Sequence, residues 1–286
     1  MKPAPFAYVS AASLDQVFDL LMQHGDEARL LAGGQSLVAT LNLRLSAPAL
    51  LIDINGLDEL AGIAVDDSGL RIGALTRQRT VEESDEVARH APLLKMAMPH
   101  IGHPAIRNRG TIGGSIAFAD PAAELPACAV ALGANIELRG PEGLRHVEAA
   151  QFFHGLYATD LRPGEVVTAV TIPRCAGYRS AICELARRHG DYAMVGLAAH
   201  ARVDGKTLGD ARLVFFGVGA KPVRAHGAGA AIEGRAVDDS SIAAAKAALA
   251  GDLDPIGDLH ASAATKLHLA GVLTDRVLRQ LAAEVR

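Results

Sequence analysis

Two short segments of the chain combine adjacent glycines with hydroxyl side chains, a combination suited to binding an anion. The first reads Ala32-Gly33-Gly34-Gln35-Ser36 and the second reads Thr111-Ile112-Gly113-Gly114-Ser115. Adjacent glycines allow backbone conformations that other residues avoid, and they let a ligand approach the main chain without a Cβ in the way. Successive N–H groups can then converge on one anion. A lone Gly-Gly pair more often marks a tight turn, so the prediction depends on there being two.

Neither segment has the signature of a common nucleotide site. Neither continues into the Lys-Ser/Thr of a P-loop, and neither matches the G-x-G-x-x-G of a Rossmann fold. Two distant loops with neutral donors can instead hold the two halves of a pyrophosphate. The hydroxyls of Ser36, Thr111 and Ser115 would add donors to the backbone N–H groups. The sequence therefore predicts a dinucleotide held between two loops.

Longer segments around both glycine pairs resemble the FAD-pyrophosphate loops of the medium, flavin-carrying subunit of molybdenum hydroxylases. They are AGGQSLVATLNLRL from Ala32 to Leu45 and IRNRGTIGGSIAFADPAAELPA from Ile106 to Ala127. A weaker third match is ARRHGDYAMVG, residues 186–196. The group includes the flavoprotein subunits of carbon monoxide dehydrogenase and xanthine dehydrogenase, and the resemblance covers nearly the whole chain. It implies that the backbones of residues 32–36 and 111–115 hold the pyrophosphate of FAD.

The same resemblance assigns three side chains to the flavin site. Glu124 occupies the acidic position that accepts hydrogen bonds from sugar or ribityl hydroxyls of the ligand. Asp120 is the other carboxylate that could accept these hydrogen bonds. For Asp120, the preferred interpretation is that it caps the following helix, because negative charge is favoured at a helix N-terminus. Tyr192 would cover one face of the flavin and Leu161 would touch it. Packing in the core is the alternative for both of these residues.

No side chain is predicted to be catalytic, because the isoalloxazine carries the electron chemistry. Ser36 and Ser115 lie outside any G-x-S-x-G nucleophile elbow. His100 and His103 lack a third ligand with suitable spacing, so no metal site is predicted.

Two further positions carry charge near the predicted site. Glu184 stands where some relatives place a lysine, and a carboxylate would not stabilise a reduced, anionic flavin as an ammonium would. The run Arg107-Asn108-Arg109 could bind an anion directly. The favoured interpretation is that the arginines of this run hold the loop in place by pairing with neighbouring carboxylates.

The resemblance implies an FAD-carrying electron-transfer subunit of a heteromeric molybdenum-containing dehydrogenase. A large molybdopterin subunit would oxidise the substrate, and a small iron–sulfur subunit would relay electrons through [2Fe–2S] clusters to FAD and on to an external acceptor. A dimer of heterotrimers is expected. Two alternatives stay open: a free-standing flavin oxidase of related fold, which would need its own base near the flavin, and a nucleotide-binding assembly module without redox activity.

Composition narrows the possible partners. The 286 residues carry a net charge of −4 and no Lys/Arg run, which argues against nucleic acid. No apolar stretch reaches the roughly 18 residues of a membrane span, and the first residues lack a signal core, so a cytoplasmic location is expected. The 3 cysteines, Cys128, Cys175 and Cys183, are too few for the Cys₄ ligation of a common iron–sulfur cluster. If the protein belongs to a redox chain with such clusters, we expect another polypeptide to carry them.

The resemblance implies an α+β chain with a two-subdomain FAD-binding fold of the vanillyl-alcohol-oxidase/PCMH type, followed by an antiparallel sheet with helices. The FAD-binding domain is placed at residues 1–176, with subdomains of about 1–57 and 58–176, and the C-terminal α+β domain at 177–286. Capping boxes are predicted at Ser13/Gln16 and Thr80/Glu83. Hairpins are predicted around the turns 66–69 and 141–143, and a final helix runs from Ala261 to Val285.

Overall fold

A computed structural model describes residues 2–283, which contain three main sheets. The N-terminal sheet has three parallel strands in the order β1-β3-β2. Its elements, with the helices that connect them, are β1 (Ala7–Ser10), α1 (Leu14–His24), β2 (Ala28–Leu31), α2 (Leu37–Asn42) and β3 (Leu50–Asp53). Strand β2 ends at Leu31, so the first glycine loop follows directly at its carboxyl end. Ligands of α/β folds commonly bind at such strand ends.

The middle sheet has five antiparallel strands in the order β4-β5-β10-β6-β7. Its strands, with a separate two-stranded hairpin β8-β9, are β4 (Ile63–Val65), β5 (Gly69–Gly73), β6 (Asn135–Gly140), β7 (Gly143–Glu148), β8 (Phe153–Gly155), β9 (Ala158–Thr159) and β10 (Val166–Pro173). The helices between them are α3 (Gln78–Glu83), α4 (Asp85–His90), α5 (Pro92–Ala97), α6 (Pro104–Arg107), α7 (Ile112–Phe118), α8 (Glu124–Leu132) and α9 (Ala149–Phe152). Both predicted hairpins are confirmed.

The C-terminal sheet is antiparallel, with the strand order β11-β12-β13-β14 and a short β15 that pairs with β13. Its elements are β11 (Tyr178–Ala186), β12 (Ala193–Asp204), β13 (Thr207–Phe216), β14 (Val223–Arg224), α10 (His226–Ile232), β15 (Arg235–Ala236), α11 (Asp239–Asp252) and α12 (Ala263–Ala282). Helix α12 begins close to its predicted start, and its predicted end at Val285 lies outside the described residues. The α+β class is confirmed.

Helix α8 joins the middle and C-terminal sheets into one packed body. Every residue of α8 is buried, because the helix lies between strand β10 on one side and strands β12 and β13 on the other. Its sequence, ELPACAVAL, is apolar all round after the first residue, as expected of a helix without a solvent face. The opposite face of the C-terminal sheet is covered by α10 and α12. Within the described range, none of the helices combines the length and apolar composition needed to cross a membrane.

The two predicted capping boxes have different outcomes. At α1 the Gln16 N–H donates to the Ser13 hydroxyl at 3.2 Å, while the Gln16 side chain accepts from Ala12 at 2.7 Å, so the cap is confirmed with its return bond one residue earlier. The box at Thr80 and Glu83 is wrong, since both residues lie inside α3. Helix α3 starts earlier because the Gln78 N–H is fixed by the Gly110 carbonyl at 2.9 Å.

A buried histidine in β12 is the main acid-sensitive group of the C-terminal sheet. His200 is 4% exposed, its Nδ1 lies 3.0 Å from the Ser180 hydroxyl, and its ring stacks on Tyr178 with centroids 4.7 Å apart. Its Nε2 has no partner among the described residues. Burial, assisted by the positive charge of Arg212, lowers the pKa of His200 to about 4.

We expect His200 to make the chain less stable in acid. Its folded-state pKa lies below the ordinary value of 6.5, so the unfolded chain binds the proton more readily. Between pH 7 and pH 4, the wild type should therefore lose about 3 kcal/mol more of its free energy of unfolding than the His200→Phe variant loses. Denaturant unfolding at several pH values measures this difference. The exposed His260, replaced by phenylalanine, is the control, and a pH-independent difference for His200→Phe would contradict the prediction.

Candidate functional site

A single cleft of about 460 Å³ brings the two glycine loops together. It is lined by nearly all of the predicted site residues, namely Ala32, Gly33, Gly34, Gln35, Ser36, Thr111, Gly113, Gly114, Ser115, Glu124, Leu161 and Tyr192. Ile112 is the predicted residue that does not line it. The Ile112 side chain is 1% exposed and packs in the core of the middle sheet.

The loops touch each other at Gly33. A Cβ on Gly33 would overlap the carbonyl oxygen of Arg109 and lie 2.9 Å from the Cα of Gly110. The next residue, Gly34, has a φ of +73°, in the left-handed region that favours glycine. The first glycine therefore permits the close approach of the two loops, and the second permits the turn.

The first loop presents main-chain donors that the protein itself does not use. Among the described residues, no N–H group from Ala32 to Ser36 donates to a protein acceptor. The loop is held by other groups instead: the Gln35 side chain donates to the Gly33 carbonyl at 3.1 Å, and Val38 N–H donates to the Gly34 carbonyl at 3.0 Å. A row of unpaired N–H groups lining a cleft is suited to an anion such as a pyrophosphate.

The second loop differs, because four of its five N–H groups are bonded inside the protein. Residues 112–115 form the first turn of α7, for which Thr111 is the N-cap. The four donors and their acceptors are Ile112 to Thr76 O at 3.1 Å, Gly113 to Ala74 O at 2.9 Å, Gly114 to Thr111 Oγ1 at 3.0 Å and Ser115 to Thr111 O at 3.2 Å. The second loop therefore offers the cleft the hydroxyls of Thr111 and Ser115, while the N–H groups of residues 112–115 already have acceptors within the protein. The role of its backbone in binding a pyrophosphate stays a prediction.

Gly113 has a packing role as well. A Cβ on Gly113 would lie 2.7 Å from the Cα and 2.8 Å from the carbonyl oxygen of Ala74. Helix α7 can approach the end of β5 only where that Cβ is missing. Gly114 is less constrained, since a Cβ there would meet the Thr111 hydroxyl alone, at 2.8 Å.

Glu124 is the most strongly perturbed acid in the cleft. It is 8% exposed, and burial, reinforced by the nearby carboxylates of Glu184 and Asp120, raises its pKa to about 7. The Asp120 carboxylate accepts from Ala122 N–H at 2.9 Å and closes the turn before α8. Helix α8 has Ala123 at its N-cap and no side-chain cap, so the favoured interpretation of Asp120 as a cap on that helix is wrong.

Glu184 pairs with a histidine behind the cleft. Its Oε1 lies 3.3 Å from His100 Nδ1, and this contact raises the pKa of His100. Its Oε2 has no hydrogen-bond partner among the described residues. His100 is thus engaged by a carboxylate, while His103 is exposed. The described residues contain no group of three or more His, Cys, Asp or Glu placed to hold a metal ion.

Tyr192 and Leu161 lie at the cleft with different degrees of burial. Tyr192 is 68% exposed, which excludes the alternative of a core anchor. Leu161 is half-buried and packs partly against the middle core while lining the cleft.

The sequence did not identify Gln78, which also lines the cleft. Gln78 is 5% exposed, and its Oε1 has no partner among the described residues. It reaches the cleft because Gly110 packs directly against its side-chain amide. No local pattern around Gln78 signals this placement.

Arg107 braces the second loop as expected. It is 7% exposed, its Nε donates to Glu82 Oε2 at 2.9 Å, and its Nη1 donates to the Ile101 carbonyl at 3.1 Å. Arg109 is exposed, and its contribution to the loop contacts is its backbone carbonyl.

We expect Arg107→Ala to lower the free energy of unfolding by about 3 kcal/mol, because it leaves the Glu82 carboxylate without its partner. Chemical denaturation measures this loss. The matched control is Arg89→Ala, since Arg89 bonds Glu86 at 2.9 Å on an exposed surface, where ion pairs contribute less than about 1 kcal/mol. Equal losses for the two variants would contradict the bracing role.

Comparison with known proteins agrees with this geometry. The family model described as the FAD-binding domain in molybdopterin dehydrogenase matches residues 4–175, and that of the CO dehydrogenase flavoprotein C-terminal domain matches residues 180–281. The chain is 39% identical to the 6-hydroxypseudooxynicotine dehydrogenase complex subunit alpha of Paenarthrobacter nicotinovorans, covering 97% of this chain and 95% of that protein. It is 37% identical to the carbon monoxide dehydrogenase medium chain of Hydrogenophaga pseudoflava, covering 97% of each.

Solved structures give the same result. Carbon monoxide dehydrogenase from Hydrogenophaga pseudoflava superposes with a TM-score of 0.95 at 38% identity, covering 98% of both chains. Quinoline 2-oxidoreductase from Pseudomonas putida 86 superposes with a TM-score of 0.94 at 37% identity, covering 99% of this chain and 98% of that one. The resemblance seen in the glycine loops, the two-subdomain FAD-binding fold and FAD as the cofactor are thereby confirmed. The chain belongs to the oxidoreductase family whose members carry the FAD-binding domain of molybdopterin dehydrogenases.

Proposed function

We propose that the chain is the FAD-carrying electron-transfer subunit of a heteromeric molybdenum-containing dehydrogenase. Bound FAD supplies the redox chemistry, taking electrons from [2Fe–2S] clusters of a partner subunit and giving them to an external acceptor. The chain's own part is to bind the cofactor and to control its surroundings. The relatives support this proposal, since they are named as a medium chain and as a subunit of a dehydrogenase complex.

The observation that carries the proposal is the row of unpaired N–H groups at residues 32–36. These donors line the same cleft as the second glycine loop, and the close approach at Gly33 keeps the two loops in contact. A set of neutral backbone donors of this kind suits the pyrophosphate of a dinucleotide. Residues of the chain therefore fit the pyrophosphate of FAD through main-chain donors.

Each site residue receives a role from its position. The N–H groups of residues 32–36 would hold the pyrophosphate, while the hydroxyls of Thr111 and Ser115 would supplement them. Gly113 and Gly114 allow the second loop to approach, and Ile112 anchors that loop in the core. A second set of side chains would contact the rest of the ligand: Glu124 would accept hydrogen bonds from ligand hydroxyls, and Leu161 and Tyr192 would flank the flavin.

The division of the chain remains part of the proposal. We place the FAD-binding domain at residues 1–176, with subdomains of about 1–57 and 58–176, and the C-terminal domain at 177–286. Separate hydrophobic cores under the N-terminal and C-terminal sheets support this division, as do the ranges 4–175 and 180–281 of the two family models. The middle core continues through α8 into the C-terminal sheet.

The expected partners are a large molybdopterin subunit and a small iron–sulfur subunit, assembled as a dimer of heterotrimers. The chain's three cysteines are free, which supports clusters on a partner and a reducing, cytoplasmic location. A free-standing flavin oxidase is not favoured, because the relatives are named as subunits of complexes.

The test is to purify the chain together with its partner subunits and to measure bound FAD and its bleaching by substrate under anaerobic conditions. We expect one FAD per chain, bleached in the complex and unchanged when the isolated chain meets the same substrate. A chain that neither holds FAD nor takes it up on reconstitution would overturn the proposal. Substrate-dependent bleaching in the isolated chain would favour the free-standing oxidase.

A further inference from the structure

A short chain of side chains connects the backbones of the two glycine loops from behind the cleft. Asn55, just after β3, is its first member. Its Nδ2 donates to the Ala32 carbonyl at 2.9 Å, to the Leu31 carbonyl at 3.3 Å and to Asp53 Oδ1 at 2.6 Å. The amide therefore holds the start of the first glycine loop against the end of the central strand.

Arg77 continues the connection to the second loop. Its Nη2 donates to Asn55 Oδ1 at 2.7 Å, and its Nη1 donates to the Arg109 carbonyl at 2.5 Å. Asp53, which accepts from Asn55, is itself fixed by the Tyr8 hydroxyl at 2.6 Å. One amide and one guanidinium thus bridge residues that are far apart in sequence, and we call this pair the Asn55–Arg77 clamp.

The clamp acts where the two loops touch. The Arg109 carbonyl that accepts from Arg77 is the same group that a Cβ on Gly33 would overlap. Among the described residues, no main-chain hydrogen bond joins residues 32–36 to residues 109–115. The hydrogen-bonded link between the loops is therefore made by side chains, and it sets the distance and angle between them.

The clamp lies outside the cleft itself. Asn55 and Arg77 are not among the residues that line the 460 Å³ cleft, and both line a separate cavity of about 210 Å³. Both side chains are half-buried. Neither is therefore placed to touch a ligand in the cleft, so any effect on binding must act through the loop backbones.

We propose that Asn55 and Arg77 are positioning residues for the cofactor: they fix the two glycine loops at the separation at which the N–H row of residues 32–36 can bind the FAD pyrophosphate. This inference rests on the proposed function. Planar, forked donors suit the task, because a guanidinium can bond two acceptors at once in a fixed geometry. A lysine at position 77 keeps the charge but cannot bridge Asn55 and Arg109 in the same way.

The experiment compares FAD dissociation constants of the full chain, stripped of FAD and titrated by flavin fluorescence. The variants are Arg77→Lys and Asn55→Asp; the second keeps the acceptor for Arg77 but loses the donor to Ala32. Each should raise the dissociation constant about tenfold, as expected for loss of a hydrogen bond to a charged or buried group. The double variant should bind FAD about as tightly as the weaker-binding single variant, because both substitutions break the same connection between the loops.

The matched control is Arg79→Lys, since Arg79 lies two residues after Arg77 in the first turn of α3, is exposed and forms an ion pair with Glu83. It should bind FAD like the wild type. Thermal unfolding of the FAD-free proteins separates positioning from bulk stability: variants that melt earlier but bind FAD normally would overturn the clamp. So would strictly additive effects in the double variant. A wild-type chain that binds no FAD would instead overturn the proposed function, and the clamp's role with it.

Discussion

Gly33→Ala is expected to weaken FAD binding by about 5- to 150-fold, the range that corresponds to the 1–3 kcal/mol typical of overpacking a tight contact. The added Cβ would overlap the Arg109 carbonyl and lie 2.9 Å from the Cα of Gly110. Both partners are backbone, so they cannot rotate away as a side chain could. The loops must therefore move apart, and the N–H groups of residues 32–36 are then no longer placed to bind the pyrophosphate together.

Two other glycines give matched controls for this experiment. Gly56→Ala adds the same methyl group in the same part of the chain, where nothing lies within 4 Å, and should leave FAD binding unchanged. Gly114→Ala should have an intermediate effect, because its Cβ would meet only the Thr111 hydroxyl, at 2.8 Å. Fluorescence titration with FAD ranks the three variants. Equal affinities for Gly33→Ala and Gly56→Ala would show that the contact between the loops does not control binding.

The first loop could be predicted from sequence because its conformation depends on local residues. Gly34 adopts a left-handed φ within a short strand–loop–helix segment, and the neighbouring N–H groups need no distant partner. The second loop carries a similar motif, yet the N–H groups of Ile112 and Gly113 donate to the carbonyls of Thr76 and Ala74. Ala74 and Thr76 follow the end of strand β5, which is far from the second loop in sequence. Tertiary packing therefore determines which N–H groups of the motif are bonded inside the protein.

The residues missed from sequence share this dependence on long-range placement. Asn55, Arg77 and Gln78 occur in ordinary loop and helix-start contexts, and their partners are brought to them by the sheets. Glu184 was recognised as unusual, but its pairing with His100 joins β11 to a segment before α6 and has no local signal. Sequence patterns therefore predicted the loops and the fold class, while the connections between elements required the structure.

Glu124→Gln is expected to make the chain more stable above neutral pH while weakening its hold on FAD. The folded-state pKa of Glu124, about 7, lies above the ordinary value of 4.5, because burial disfavours the charged carboxylate. The stability linked to its protonated form is fully present below pH 4.5 and is lost as the pH rises through 7. Glutamine does not ionise. Its advantage should therefore grow from near zero at pH 4.5 to about 3 kcal/mol at pH 8.

FAD binding should move in the opposite direction, because hydrogen bonds from ligand hydroxyls to an ionised carboxylate are stronger than those to a neutral amide. At pH 8 we expect FAD to bind about tenfold more weakly to Glu124→Gln than to the wild type. Denaturant unfolding and FAD titration across pH 5–8 measure the two effects, with the exposed Glu142→Gln as control. Opposite signs would indicate that Glu124 is kept buried for binding at the expense of stability. A stability difference between the two proteins that stays constant with pH would mean that folding does not change the pKa of Glu124. That result would contradict the assignment of Glu124 as a buried carboxylate that accepts hydrogen bonds from the ligand hydroxyls.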